Sequence, residues 1–174
     1  MTGKEFMKAV ANGRTDPLEI LLGILKENSS EYCVIGGLAV NAYAEPVVSL
    51  DLDIVVVEEG IDKVCAAVQV CGLLVRECDD SINLSTTESD LRIQLRTDPR
   101  YQAFLSRARK DEVLGYQMFI ANLEDVLQGK IWAWSDGKRR QSKRQKDLAD
   151  IMRLVEAYPS LKTGLPAKIL SQIE

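Results

Sequence analysis

The chain has 174 residues, with 22 Lys and Arg against 26 Asp and Glu, a formal charge of -4, 46% apolar residues, four Cys and no His. That length is enough for one domain burying about two-thirds of its unfolded surface, and the acidic balance excludes a protein that coats nucleic acid with a uniformly basic surface. Without His there is no Ser-His or Cys-His nucleophile and no His-based zinc site, so carboxylates, Lys, Arg, Tyr or Cys must carry any chemistry.

Asp16-Pro17-Leu18-Glu19 combines an N-cap, a Pro at the first helical position and a capping-box acid, and Leu18, Leu21, Leu22 and Leu25 then recur at helical spacing. This predicts a helix ending near Asn28. Residues 32–35 form a short β-rich run stopped by Gly36-Gly37, after which 38–43 begin a helix. The nearly continuous apolar run 52–57 suits a central strand, and 61–71 read as a helix closed by Gly72. Short β-like runs follow at 73–77, 82–85 and 91–96, with antiparallel pairing expected. Residues 101–108 read as helical, 117–120 as a last strand, and 122–134 and 143–158 as two helices, the second carrying the apolar stripe Leu148, Ile151, Met152 and Val155.

This order predicts a mixed α/β or α+β fold in one unit spanning 1–174: N-terminal helices over 1–30, a sheet core over 31–121 and C-terminal helices over 122–174. Cys33, Cys65, Cys71 and Cys78 form no C-x-x-C pair and sit among apolar neighbours. There is no secretory apolar core and no apolar run of about 18 residues, so the expectation is a cytoplasmic protein with reduced thiols and no membrane partner.

The chemistry concentrates in Gly36-Gly37 and in Ser49-Leu50-Asp51-Leu52-Asp53-Ile54-Val55-Val56. Asp is a poor strand former, and two Asp residues two apart at the start of a strand point to one face. Unpaired, they repel; a divalent cation with a preference for hard oxygen ligands, such as magnesium, is the natural compensating partner. The glycine pair lets backbone approach a ligand closely and offers amides to phosphate.

A strand, a glycine pair, a helix and then D-x-D on an apolar strand resemble the nucleotidyltransferase superfamily of polymerase-beta-like minimal nucleotidyltransferases, and more closely its AbiEii-type toxin branch. The resemblance covers 32–155. It implies a nucleotidyltransferase-like mixed sheet with flanking helices and a helical C-terminal part. By the same resemblance, Asp51, Asp53 and Lys130 are the catalytic residues, Asp51 and Asp53 holding Mg2+ and a nucleoside triphosphate and Lys130 contacting the triphosphate; Gly36 and Gly37 contact the nucleotide, as does Asp147 of the branch's Lys-Asp-x-x-Asp segment, here Lys146-Asp147-Leu148-Ala149-Asp150.

Two positions depart from that pattern. Leu38 replaces the hydroxyl residue that often follows the glycine pair. Where the family reads Arg-Val/Ile-Asp-Leu in its third-carboxylate strand, this chain reads Arg92-Ile93-Gln94-Leu95, so that Gln94 holds the acid's position. A neutral amide supplies no charge and accepts no proton from an attacking hydroxyl. Asp90 lies about 13 Å further along the same strand, too far to substitute, and Asp98 has the same difficulty.

The expected function is therefore transfer of a nucleoside monophosphate from a nucleoside triphosphate to an RNA hydroxyl, tRNA included, or to a protein hydroxyl, in a toxin–antitoxin setting. The alternative is a catalytically weakened nucleotide-binding or regulatory protein of the same fold, the difference resting on Gln94. A structural protein with an incidental D-x-D is a third reading. Lys138, Arg139, Arg140, Lys143, Arg144 and Lys146 form either a solvated helix start or a track for an RNA backbone. Asp147 and Asp150 have a second reading as i,i+4 partners of Lys143 and Lys146 on a solvated face.

Overall fold

The computed structural model describes all 174 residues. The chain runs through α1 (Gly3–Val10), α2 (Pro17–Glu27), β1 (Tyr32–Ile35), α3 (Gly36–Val40), β2 (Asp51–Val56), α4 (Ile61–Val70), β3 (Leu74–Cys78), β4 (Ser81–Thr86), β5 (Ser89–Arg96), β6 (Arg109–Val113), β7 (Tyr116–Ile120), α5 (Leu123–Ser135), α6 (Gln141–Ala157) and α7 (Ala167–Ile173). The local signals act as expected. The Asp16 side chain accepts from the Glu19 N–H with Pro17 opening α2, and Asn122 caps α5 by accepting from the Asp125 N–H.

All seven strands join one sheet in the order β3-β4-β5-β2-β1-β7-β6. β2 is the middle strand, which explains why its sequence is nearly continuous in apolar residues: Leu52, Ile54, Val55 and Val56 are fully buried. It runs antiparallel to β1 and parallel to β5, while β3, β4 and β5 form the expected antiparallel meander. α2 and α4 pack on each other and against β5 and β3; α5 and α6 pack on each other and on α3. A single cluster of 42 buried apolar residues runs from Met7 to Ile169.

Three features differ from the sequence reading. β6 is a strand that periodicity does not reveal, because four of its five residues, Arg109, Lys110, Asp111 and Glu112, are polar and only Val113 is buried. An edge strand needs no apolar alternation. Its hairpin to β7 turns on Leu114 and Gly115 at φ 51 and 83, a turn with two left-handed residues that Leu does not advertise. The expected helix at 101–108 is a 3-10 helix, Pro99–Arg107, capped by the Asp98 side chain. The helix after the glycine pair begins at Gly36 itself and lasts only five residues.

Candidate functional site

Strand register assembles the site. Asp53 lies opposite Ile35 on one side and Gln94 on the other, and Asp51 lies beside Arg92. Because side chains alternate, Asp51, Asp53, Arg92, Gln94 and Arg96 share one face of the sheet. The glycine turn leaves β1 at this point. Gly36 has φ +67, and a Cβ there would sit 2.6 Å from Asp53 Oδ2, so both backbone conformation and space require glycine.

A small cleft brings Gly36, Asp53, Arg96, Lys130, Arg139 and Asp147 together with Tyr101 and Gly129. Of the expected site residues, Asp53, Gly36, Lys130 and Asp147 thus meet around one opening. Asp51 stands next to it on β2, and Gln94 next to Asp53 on β5. Gly37 faces away from the D-x-D strand toward Asp150, whose Oδ2 lies 3.7 Å from where a Gly37 Cβ would be. The enclosed space is about 20 Å³, room for one water-sized body, so the cleft itself is too small to take in a polyphosphate.

Neither Asp of the D-x-D pair is free. Arg92 Nε lies 2.9 Å from Asp51 Oδ1, Lys143 Nζ donates to Asp51 Oδ2 at 2.8 Å, and Arg96 Nε donates to Asp53 Oδ1 at 2.9 Å. Partial burial pushes the Asp51 carboxyl up, but the hydrogen bond from Lys143 and the charges of Lys143, Arg92 and Lys146 outweigh it and hold it below the usual carboxylate range. Burial likewise works against the charge on Arg96, and Asp53, together with Tyr101 and Asp80, more than restores it.

A second ion cluster lies deeper. Lys130 Nζ lies 3.0 Å from Asp147 Oδ1 and 2.6 Å from Asp150 Oδ2, Arg139 Nε donates to Asp147 Oδ2 at 2.7 Å, and Arg153 Nη1 donates to Asp150 Oδ1 at 2.8 Å. Asp150 Oδ2 has no aligned hydrogen bond and is compensated by the charge of Lys130 alone. Desolvation disfavours the Lys130 ammonium, yet the two carboxylates raise its pKa, so it stays charged inside. Asp147 and Asp150 are therefore buried and bridged to α5, and the reading of them as exposed i,i+4 partners of Lys143 and Lys146 does not hold.

Four of the six basic residues around the start of α6 are bonded to the protein's own groups, with Lys146 still exposed. Arg139 holds Asp147, Lys143 holds Asp51, Lys146 Nζ donates to Ser49 Oγ at 3.1 Å, and Arg144 Nε donates to the Trp134 carbonyl at 2.6 Å. Lys138 and Arg140 alone of the six make no side-chain bond and are exposed. The residues that the sequence reading missed are Arg92, Arg96 and Lys143 as partners of the D-x-D pair. A signal for the arginines was present, since 92, 94 and 96 share parity on one strand; what was missing was that this strand lies beside β2.

Magnesium is commonly held by one or two carboxylates together with substrate phosphates, so the count of acids alone does not decide whether a metal belongs here. The charge does. Two carboxylates face three cations, Gln94 is neutral, and neither Asp90, exposed beyond the site, nor Asp98, paired with Arg100, reaches them. No group of three Asp, Glu, Cys or His residues is placed to hold an ion. The residues present do not fit a magnesium centre.

No family model matches the chain, and no curated protein matches it either. Solved structures do. The chain is similar to ANT(2")-Ia, solved in complex with adenylyl-2"-tobramycin, at 16% identity and a TM-score of 0.61 over 90% of this chain and 97% of that one. It is similar to the lincosamide antibiotic adenylyltransferase LnuA at 12% identity and a TM-score of 0.56, over 82% and 98%. An antigenic nucleotidyltransferase-like protein from Paracoccidioides brasiliensis matches at 13% identity and a TM-score of 0.52, over 80% and 75%. No helix of the chain is long and apolar enough to cross a membrane. What these likenesses share with the chain is the fold, a nucleotidyltransferase-type mixed sheet with flanking helices.

Proposed function

We propose that this chain captures a nucleoside triphosphate at the Asp51–Asp53 face and acts mainly as a nucleotide-binding, regulatory variant of the nucleotidyl-transfer design. The observation that carries the reading is the register of β2 and β5: Asp53 is flanked by Gly36 on one side and by Gln94, not a carboxylate, on the other. The glycine turn and the D-x-D pair keep the place where a nucleotide would lie. Transfer would require an acceptor hydroxyl to attack the α-phosphorus while pyrophosphate leaves, and Gln94 accepts no proton from that hydroxyl.

The contact of Lys130 with Asp147 and Asp150 supports the AbiEii-type resemblance, since the two motif segments on α5 and α6 meet. On that resemblance the chain serves a toxin–antitoxin system, and an RNA, tRNA or protein hydroxyl is the acceptor of any residual transfer. The internally bonded basic residues favour a protein acceptor over an RNA track. The test is calorimetric titration of ATP, GTP, CTP and UTP, each with MgCl2 and again with EDTA. At least one should bind with a Kd of about 10–100 μM. Absence of binding in both media removes the reading.

A further inference from the structure

We infer that this face binds the polyphosphate of a nucleoside triphosphate without a divalent cation, with Arg96, Lys143 and Arg92 in the role of counter-charge. The inference rests on the nucleotide-binding reading above and concerns how that site works. Three cationic groups contact the two carboxylates directly, all at 2.8–2.9 Å, and leave the face with one positive charge in excess. A divalent cation entering between Asp51 and Asp53 must displace those partners and meets their repulsion. A polyphosphate meets attraction.

The three groups are also graded for capture. Arg92 is 64% exposed and Lys143 34%, both on Asp51 outside the cleft, while Arg96 is 21% exposed and lines the cleft with Gly36 and Tyr101. The Arg96 Nε holds Asp53 Oδ1. Guanidinium donates through five N–H groups, so bonding one carboxylate oxygen leaves donors for phosphate oxygens. Gln94 fits the same logic. An acid beside Asp53 would cancel the positive excess, whereas the amide keeps it and adds an N–H donor.

The experiment titrates ATP, GTP, CTP, UTP and inorganic tripolyphosphate into the full chain in excess EDTA and in MgCl2. The best nucleotide should bind in EDTA within about threefold of its affinity in MgCl2, and tripolyphosphate should bind in EDTA more weakly than that nucleotide. Arg96→Gln should weaken binding in EDTA about tenfold and Lys143→Gln about threefold, while Asp53→Asn should strengthen it. Lys143→Gln, at a position one-third exposed, keeps the test decisive if Arg96→Gln fails to fold. Binding only in MgCl2, lost on Asp53→Asn, overturns the inference and leaves the nucleotide reading standing. Tripolyphosphate binding as tightly as every nucleotide overturns the assignment of a nucleoside ligand. No binding in either medium overturns both.

Discussion

Two clusters in this protein have the same composition, three cations on two carboxylates, and differ only in where they sit. In the first, Lys130, Asp147 and Asp150 are enclosed, with side-chain exposures of 7%, 2% and 6%, and Arg139 and Arg153 reach in from partly exposed positions. In the second, both carboxylates are themselves partly exposed, and Arg92 and Lys143 are open to solvent. In the first cluster Lys130 and the two carboxylates have no water to turn to if left unpaired, so the Lys130 charge is obligatory. In the second, the cations hold the carboxylates but lie near water and keep donors outside the pairs, which leaves positive charge available to a ligand. Burial of the carboxylates, rather than residue type, separates a fastening between α5 and α6 from the face on β2 proposed to bind nucleotide.

Removing one cation from each cluster breaks this comparison most severely. Lys130→Met should cost about 3–5 kcal/mol in urea unfolding, because it strands buried carboxylates, whereas Lys143→Met should cost about 1 kcal/mol or less. Equal losses would erase the distinction. Next in size, Gly36→Ala should cost about 2 kcal/mol, from the left-handed backbone and the contact with Asp53 Oδ2; Gly37→Ala, with 3.7 Å to its nearest neighbour, should cost much less.

Gln94→Asp sharpens the comparison from the ligand side. Adding a carboxylate beside Asp53 removes the positive excess, so Mg2+ should raise the melting temperature of this variant in the presence of ATP and leave the wild type nearly unmoved. Label transfer to an acceptor should rise with it. A wild type that responds to Mg2+ as the variant does would mean that the arginines yield readily to metal.

The smallest effect is in acid. Asp51 has its pKa lowered in the fold, so around and below pH 3.8 the folded protein binds fewer protons than the unfolded chain; its contribution is complete well above 3.8 and is lost as pH falls through the lowered pKa. With Asp51 partly exposed, screening keeps that contribution small. Asp51→Asn should flatten the acid limb of the stability profile, and an unchanged profile would show that Lys143 and Arg92 do not hold the carboxylate in solution.

The sequence made some of this legible and hid the rest for identifiable reasons. Alternation alone places Asp51 and Asp53 on one face, and an unusual acid pair on an apolar strand marks the centre of the sheet. Gly36 is legible as a turn, but that it must be glycine because of Asp53 depends on β1 and β2 being neighbours in register. Arg96 is hidden more deeply. Its partner is 43 residues away, and only the parallel pairing of β2 with β5 joins them. The family resemblance singled out Lys130 and Asp147 separately, as nucleotide contacts; that they pair with each other inside the protein was not legible, since it depends on how α5 packs on α6. The basic start of α6 misled because charge in sequence says nothing of direction, and here Asp51, Asp147 and the Trp134 carbonyl each hold one of its residues.

The central claim is that arginine and lysine, not a metal, balance charge on the D-x-D face. A crystal structure grown with ATP and Mn2+ tests it most directly, since manganese is located by anomalous scattering. The account expects phosphate oxygens on Arg96 and Lys143 and no manganese between Asp51 and Asp53. Manganese bridging those two carboxylates and the nucleotide's phosphates, with Arg96 swung away, would contradict it.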